Sequence, residues 1–119
     1  MALVKDNHIS AVKDIKSAVA KIRKYRPSVK VEVECDTFKQ VGEAISASAD
    51  IIMLDNMTPA EIRKSVSVIR KHKGVEIEIS GGVNLGTVAK FAKLGADRIS
   101  VGALTHSAPA LDIGLDIKE

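Results

Sequence analysis

Residues 76–107 read EIEISGGVNLGTVAKFAKLGADRISVGALTHS, and the fold is decided there. The stretch holds two short β-branched runs, and each breaks into glycine where a strand should stop. The first ends Glu78-Ile79-Ser80 and turns through Gly81-Gly82; the second ends Ser100-Val101 and turns through Gly102-Ala103. Between them Asn84 marks a helix start, Leu85, Val88 and Ala92 recur at a helical spacing, and Gly95 marks the stop. A strand that turns through glycine into a helix lets backbone N–H groups approach an anion. Two such turns on neighbouring parallel strands make a phosphate clamp, which α/β barrels carry late in the chain. Glycine also serves any tight strand-to-helix turn, so a purely geometric role stays open on this motif alone.

Working outward, strand and helix alternate without a linker. Ala2–Lys5 reads as a strand, and Val12, Ile15, Val19 and Ile22 as one helix running to Tyr25 and closed by Pro27. Val31–Cys35 is a second strand. Thr37 and Gln40 then form a capping box for a helix that turns Phe38, Val41, Ala44 and Ile45 inward. Ile51–Leu54 is the third strand. Thr58-Pro59-Ala60-Glu61 supplies an N-cap, an N1 proline and a capping-box glutamate to a helix burying Ile62, Val66 and Ile69 and ended by Gly74. Val75–Ile79 and Arg98–Val101 are the fourth and fifth strands, and the tail 111–119 reads as a short strand or an extended arm. Repeated βα units imply parallel strands joined by right-handed crossovers.

Side chains alternate across a strand, so Glu32 and Glu34 share a face opposite Val31 and Val33, as Glu76, Glu78 and Ser80 share one opposite Ile77 and Ile79. Strands of an open doubly wound sheet are apolar on both faces. Here one face meets apolar helices and the other something wet or ionic. That pattern favours a partial TIM-like α/β barrel of about five strands over the open sheet, which remains the alternative.

The chain has 119 residues, 45% hydrophobic and 28% charged, enough for one globular domain with a core. No apolar run nears the roughly 20 residues of a membrane span, and the opening MALVKDNHIS has no signal-peptide core. The single cysteine, Cys35, reads as a small buried hydrophobe and suits a reducing cytoplasm. Net charge is +3, carried mostly on helices; with only Tyr25, Phe38 and Phe91 as aromatics, solvated helix faces explain it better than nucleic-acid binding. Neither a membrane nor a nucleic acid is an expected partner.

The strand ends gather the chemistry: Lys5-Asp6-Asn7-His8, Glu34-Cys35-Asp36, Asp55-Asn56, Ser80-Gly81-Gly82 and Gly102-Ala103. α/β folds place their sites at the carboxyl ends of the strands. Strand parity turns Lys5, Glu34, Asp55, Ser80 and Gly102 inward. Carboxylates sharing a lumen need cations; Lys5 is one, and a Mg²⁺ held by Glu34 and Asp55, directly or through water or substrate, would be another. Carboxylates beside a phosphate clamp suggest a phosphorylated sugar. For Glu34 and Asp55, helix capping or a lumenal salt bridge stays open. His8 reads as a strand-end hydrogen-bonding residue and His72 as a helix C-terminal surface residue.

In this order, Val4-Lys5-Asp6-Asn7-His8-Ile9, Val31-Glu32-Val33-Glu34, Asp50-Ile51-Ile52-Met53-Leu54-Asp55-Asn56-Met57, Ser80-Gly81-Gly82 and Ser100-Val101-Gly102-Ala103-Leu104-Thr105-His106-Ser107-Ala108-Pro109 resemble quinolinate phosphoribosyltransferase across essentially the whole chain. The resemblance implies Mg²⁺-dependent transfer of phosphoribosyl from phosphoribosyl pyrophosphate to quinolinate, giving nicotinate mononucleotide, pyrophosphate and carbon dioxide in NAD biosynthesis. It implies that Lys5 meets anionic substrate groups, and that Glu34 and Asp55 lie by the ribose and its metal-bound hydroxyls. Ser80, Gly81, Gly82, Gly102 and Ala103 hold the 5′-phosphate, with His106 beside them or capping the loop. A cytoplasmic homo-oligomer, dimer or larger, is expected.

The family's N-terminal sandwich domain and its early barrel strands, with an arginine- and histidine-bearing quinolinate site, have no counterpart among these residues. Residues 1–119 are therefore expected to be the C-terminal portion of a larger barrel, inactive in isolation. Three other readings stay open: a stand-alone phosphate- or nucleotide-binding module, a half-barrel used for assembly, and a transferase for another base.

Overall fold

The computed structural model describes residues 1–106, 111 and 113. Its strands are β1 (Ala2–Val4), β2 (Val31–Cys35), β3 (Ile51–Asp55), β4 (Glu76–Ser80) and β5 (Arg98–Ile99). The helices are α1 (Asp6–Val12), α2 (Ile15–Tyr25), α3 (Phe38–Ser46), α4 (Pro59–Ile69), α5 (Val88–Ala92) and α6 (Ala103–His106). All strand pairs are parallel, and the order is β1-β2-β3-β4-β5. Each strand lies beside its successor without the reversal of order that defines a doubly wound sheet. The sheet is an arc of an α/β barrel.

The two sheet faces differ as the alternation requires. Val4, Val31, Val33, Cys35, Ile52, Leu54, Ile77 and Ile79 are buried in one cluster with Ile15 and Val19 of α2, Val41 and Ala44 of α3, and Ile62 and Ile69 of α4. Burial drives the Cys35 thiol pKa up to about 12, so it is an inert part of that core. The opposite, lumenal face aligns Glu32 with Ile51, Ile51 with Glu76, Met53 with Glu78, and Glu78 with Arg98. The boxes at Thr37/Gln40 and Thr58/Glu61 cap α3 and α4 as their sequences require.

Three local expectations are corrected. The helix read from Val12 is two helices: α1 follows β1 directly, then the chain turns at Lys13 (φ 77°) and restarts where Asp14 accepts from the Ser17 N–H. Helical spacing alone hid the break, since both segments keep Val12 and Ile15 inward. Asn84 does open the next helical segment, accepting from the Gly86 and Thr87 N–H groups, but the regular helix α5 begins only at Val88. Consequently Leu85 is 81% exposed and Ala92 is exposed, while Val88, Phe91 and Leu94 pack against the core. Finally, β5 is two residues long. The tail predicted over 111–119 lies, apart from Leu111 and Ile113, outside the described residues.

Two equivalent latches join the elements at the amino edge of the sheet. Asp50, just before β3, gives its N–H to the Val31 carbonyl and accepts the Val31 N–H on its carboxylate, which also receives Arg23 at 2.7 Å. Asp97, just before β5, makes the same exchange with Ile77 and receives Arg70 at 2.8 Å. Each arginine lies 27 positions before its aspartate. Each also donates to the carbonyl of a left-handed residue two positions before it, Ser48 (φ 59°) or Gly95 (φ 88°).

Burial alone would raise the Asp50 pKa, but the Val31 N–H and Arg23 outweigh it and hold the carboxyl below its usual range; Arg70 does the same for Asp97. A carboxyl depressed in the folded state stabilises above its unfolded-chain pKa, and that contribution is lost as pH falls through the folded-state value. In urea melts at pH 7, Asp97→Asn should cost about 1 kcal/mol. It should also flatten the loss of stability between about pH 5 and pH 2, where the parent's latch titrates. An unchanged acid profile would show that the latch carries no stability.

Candidate active site at the carboxyl edge

Along the carboxyl edge the side chains of β1 to β5 form one continuous row. Lys5 caps α1, and its Nζ lies 3.1 Å from Glu34 Oε2. Hydrogen bonding to Glu34 and its charge, with smaller contributions from Asp6 and Asp55, raise the lysine pKa and keep it cationic. His8 stands in the first turn of α1, where its Nδ1 accepts the Lys5 N–H at 3.1 Å. It is thus a strand-end hydrogen-bonding residue, and it fixes the backbone from which Lys5 projects.

Glu34, Asp36 and Asp55 bring one carboxylate oxygen each to within 4.8 Å of one another. The alternation that singles out Glu34 continues to Asp36, a third carboxylate of the same parity that the strand-end motif alone does not distinguish. Asn56 takes a left-handed conformation (φ 52°) and donates from Nδ2 to Asp55 Oδ2 at 2.6 Å, which sets the direction of that carboxylate. The three donors are all hard oxygens facing a single lysine. Such a set fits a Mg²⁺ that keeps water or substrate oxygens in the rest of its shell. Neither Glu34 nor Asp55 caps a helix, since Thr37 and Thr58 do that work; Glu34 does make the salt bridge to Lys5.

Asp55 pairs in register with Ser80, where the row passes into the glycine turns. Gly81 (φ 83°) and Gly82 (φ 62°) are both left-handed. A Cβ on Gly81 would stand 2.5 Å from the Asn56 backbone nitrogen, so only glycine lets β4's turn approach β3's. Ser80, Gly81, Gly82, Gly102, Ala103 and His106 line one cavity of about 530 Å³. All six sequence-predicted clamp residues are therefore together. His106 ends α6, bonds its N–H to the Gly102 carbonyl and lays its ring edge beside Gly102. Asn84 and Ser100 also line this cavity and were missed; Ser100 shares the lumenal parity of Arg98, so the signal was present. His72 lies in the turns after α4, exposed and at the other edge of the sheet.

Fold and edge together define an α/β-barrel domain with a glycine-lined cavity beside a lysine–carboxylate cluster. Residues 1–116 match the family model described as quinolinate phosphoribosyl transferase, C-terminal domain, and the chain belongs to that family. It is 40% identical over 119 residues to the nicotinate-nucleotide pyrophosphorylase [carboxylating] of Rattus norvegicus, covering 98% of this chain and 40% of that protein. A probable nicotinate-nucleotide pyrophosphorylase [carboxylating] of Methanocaldococcus jannaschii is 41% identical over 124 residues, with 97% and 42% covered. Among solved structures, the nicotinate-nucleotide pyrophosphorylase from Ehrlichia chaffeensis superposes with a TM-score of 0.86 at 40% identity, covering 98% of this chain and 42% of that one. Thiamine phosphate pyrophosphorylase from Pyrococcus furiosus, at 18% identity and a TM-score of 0.61 over 70% of this chain and 43% of that one, shares the fold alone. The chain spans about two-fifths of the length of the curated relatives it matches. Among the described residues, no helix is long and apolar enough to cross a membrane.

Gly81→Ala should lower stability by about 2 kcal/mol or more, because alanine at this φ is strained and its Cβ meets the Asn56 backbone. Gly74→Ala is the control: it is equally left-handed but has open space around it. Thermal melts that rank the two equally would contradict the close approach.

Proposed function

We propose that this domain holds the phosphoribosyl side of a transfer from phosphoribosyl pyrophosphate to quinolinate, which yields nicotinate mononucleotide, pyrophosphate and carbon dioxide in NAD biosynthesis. The observation that supports this reading is the unbroken row from Lys5 through Glu34 and Asp55 to the cavity of Ser80-Gly81-Gly82 and Gly102-Ala103. A phosphate seated on the turn N–H groups places its sugar toward Asp55. Loss of pyrophosphate leaves positive charge on the ribose, as glycoside cleavage does, and carboxylates fixed beside it stabilise that charge. Glu34 and Asp55 are fixed, one by Lys5 and the other by Asn56, so their reorganisation costs little. Lys5 stays protonated and meets substrate anions without a proton transfer. Glu34 and Asp55, joined by Asp36, would hold Mg²⁺, which when bound neutralises the charge of the departing pyrophosphate. His106 beside Gly102 bounds the phosphate end. The same reading makes the enzyme a cytoplasmic homo-oligomer, with the unpaired outer edge of β1 open to another surface.

Quinolinate is a dicarboxylate and calls for bidentate arginines. Here Arg23 and Arg70 are engaged by the amino-edge latches and Arg98 by Glu76, while Arg26 and Arg63 are exposed on the helix layer, one as the α2 C-cap and the other within α4. We therefore assign base recognition to residues other than these.

Two measurements test the proposal. Calorimetric titration of the chain with phosphoribosyl pyrophosphate should show binding that weakens about tenfold on chelation of Mg²⁺, ~1.4 kcal/mol. Glu34→Gln and Asp55→Asn should abolish that Mg²⁺ dependence, and binding indifferent to the metal and to both substitutions would defeat the reading. Incubating the chain with quinolinate, phosphoribosyl pyrophosphate and Mg²⁺ should give no nicotinate mononucleotide; its appearance would show that the base site is built from these residues.

A further inference from the structure

Ser100 stands on the cavity wall with its hydroxyl already committed. Its Oγ donates to Glu78 Oε1 at 2.5 Å. Glu78 is 8% exposed, so water does not readily replace Ser100 as its donor. Around it on the lumenal face, Glu32 presents a buried Oε1 with no partner among the described residues, and Arg98 and Lys30 are engaged by Glu76. Were Ser100 to turn its proton toward the cavity, Glu78 Oε1 would lose a hydrogen bond in a poorly solvated place. That loss exceeds what one hydrogen bond to a solvated anion returns.

A serine hydroxyl has one proton and two lone pairs. With the proton held by Glu78, Ser100 shows the cavity an acceptor. The rest of the wall brings the backbone of the glycine turns and the amide of Asn84, whose Oδ1 is taken by Gly86 and Thr87, so that backbone N–H and Asn84 Nδ2 can only donate, while the Ser80 hydroxyl and the His106 ring can do either. We infer that Ser100, held by Glu78, is a specificity-determining residue that admits a phosphate carrying a proton donor beside it, a P–OH or a sugar hydroxyl, and disfavours a fully ionised tetrahedral anion. The inference rests on the phosphate reading of this cavity and adds the chemical class that the cavity selects.

Inorganic phosphate and sulfate provide the test. At about pH 8 and fixed ionic strength both are dianions of similar size, but only phosphate keeps a proton to donate. Amide NMR titrations following Gly81, Gly82 and Gly102 should give about tenfold tighter binding of phosphate than of sulfate, the worth of roughly one hydrogen bond. Ser100→Ala, at an exposed position, should bring the two affinities within about twofold of each other. Glu78→Gln should also narrow the ratio, mainly by improving sulfate binding, because a glutamine amide can donate to Ser100 and free its proton to face the anion. Equal affinities in the parent, or a ratio that Ser100→Ala leaves intact, would overturn the inference while leaving the phosphate cavity in place. No shift with either anion would overturn the phosphate reading, and this inference with it.

Discussion

The exchange between an aspartate and the first residue of the strand beside it is the constraint on which the rest depends. Asp50 with Val31, and Asp97 with Ile77, fix the offset of β3 against β2 and of β5 against β4 at the amino edge. In a parallel sheet a slip of one residue reverses every side chain. Here it would send Glu34 into the apolar core and Cys35 into the lumen. β3 and β4 run level, from Ile51 opposite Glu76 to Asp55 opposite Ser80, whereas β2 is offset by one residue, with Glu34 opposite Met53. The latches, with the β3–β4 pairing between them, thus set Asp55 level with Ser80 at the top and bring Glu34 and Asp36 up beside Asp55. Arg23 and Arg70 extend the same control to α2 and α4, which are tied to the loops that precede β3 and β5.

The lumenal face is the difficult half of the molecule. Glu32, Glu34, Glu76 and Glu78 lie on it within two strands, against the cations Lys5, Lys30 and Arg98. Glu76 is satisfied twice, by Lys30 and Arg98, and its carboxyl is held below the usual range by Lys30 first. Glu32 has the reverse fortune: burial and then the charge of Glu78 push its pKa up. Ile51 lies in register between Glu32 and Glu76, fully buried yet outside the main core cluster. Two such faces brought together would compound their negative charge, so this surface favours a cationic cover over another copy of itself.

Much of this was legible because the sequence alternates strictly where it matters. Parity in Glu32-Val33-Glu34 and Glu76-Ile77-Glu78 separated lumen from core before any coordinates, and the polar or glycine ends of five strands located the site. The parts that were not legible have physical causes. The break between α1 and α2 leaves no trace in hydrophobic spacing, because Asp14 restarts the helix nearly in phase. Asn84 caps a turn that tightens into α5 only at Val88, and this rotated Leu85 outward. The latches were invisible because Arg23 and Arg70 read as ordinary helix-face charges; their partners lie 27 positions on, beyond any local pattern. Ser100 and Asp36 share the lumenal parity, but a polar residue at a strand end carries no local mark that separates a cavity-lining side chain from a solvated one.

The two ends of the carboxyl-edge row are built from different materials, and this bears on what the domain can be asked to vary. At the glycine end the cavity wall is largely backbone, at Gly81, Gly82, Gly102 and Ala103, and a Cβ at Gly81 would collide with Asn56. Such a site changes little with side-chain substitution, because its geometry is inherited from strands held in register. At the other end Lys5, Glu34, Asp36 and Asp55 act through side chains whose positions depend on one another. Under the proposed reading, a ligand spanning both ends would meet rigid backbone at one and mutually dependent charges at the other, so substitution would redirect the charged end more readily than the glycine end.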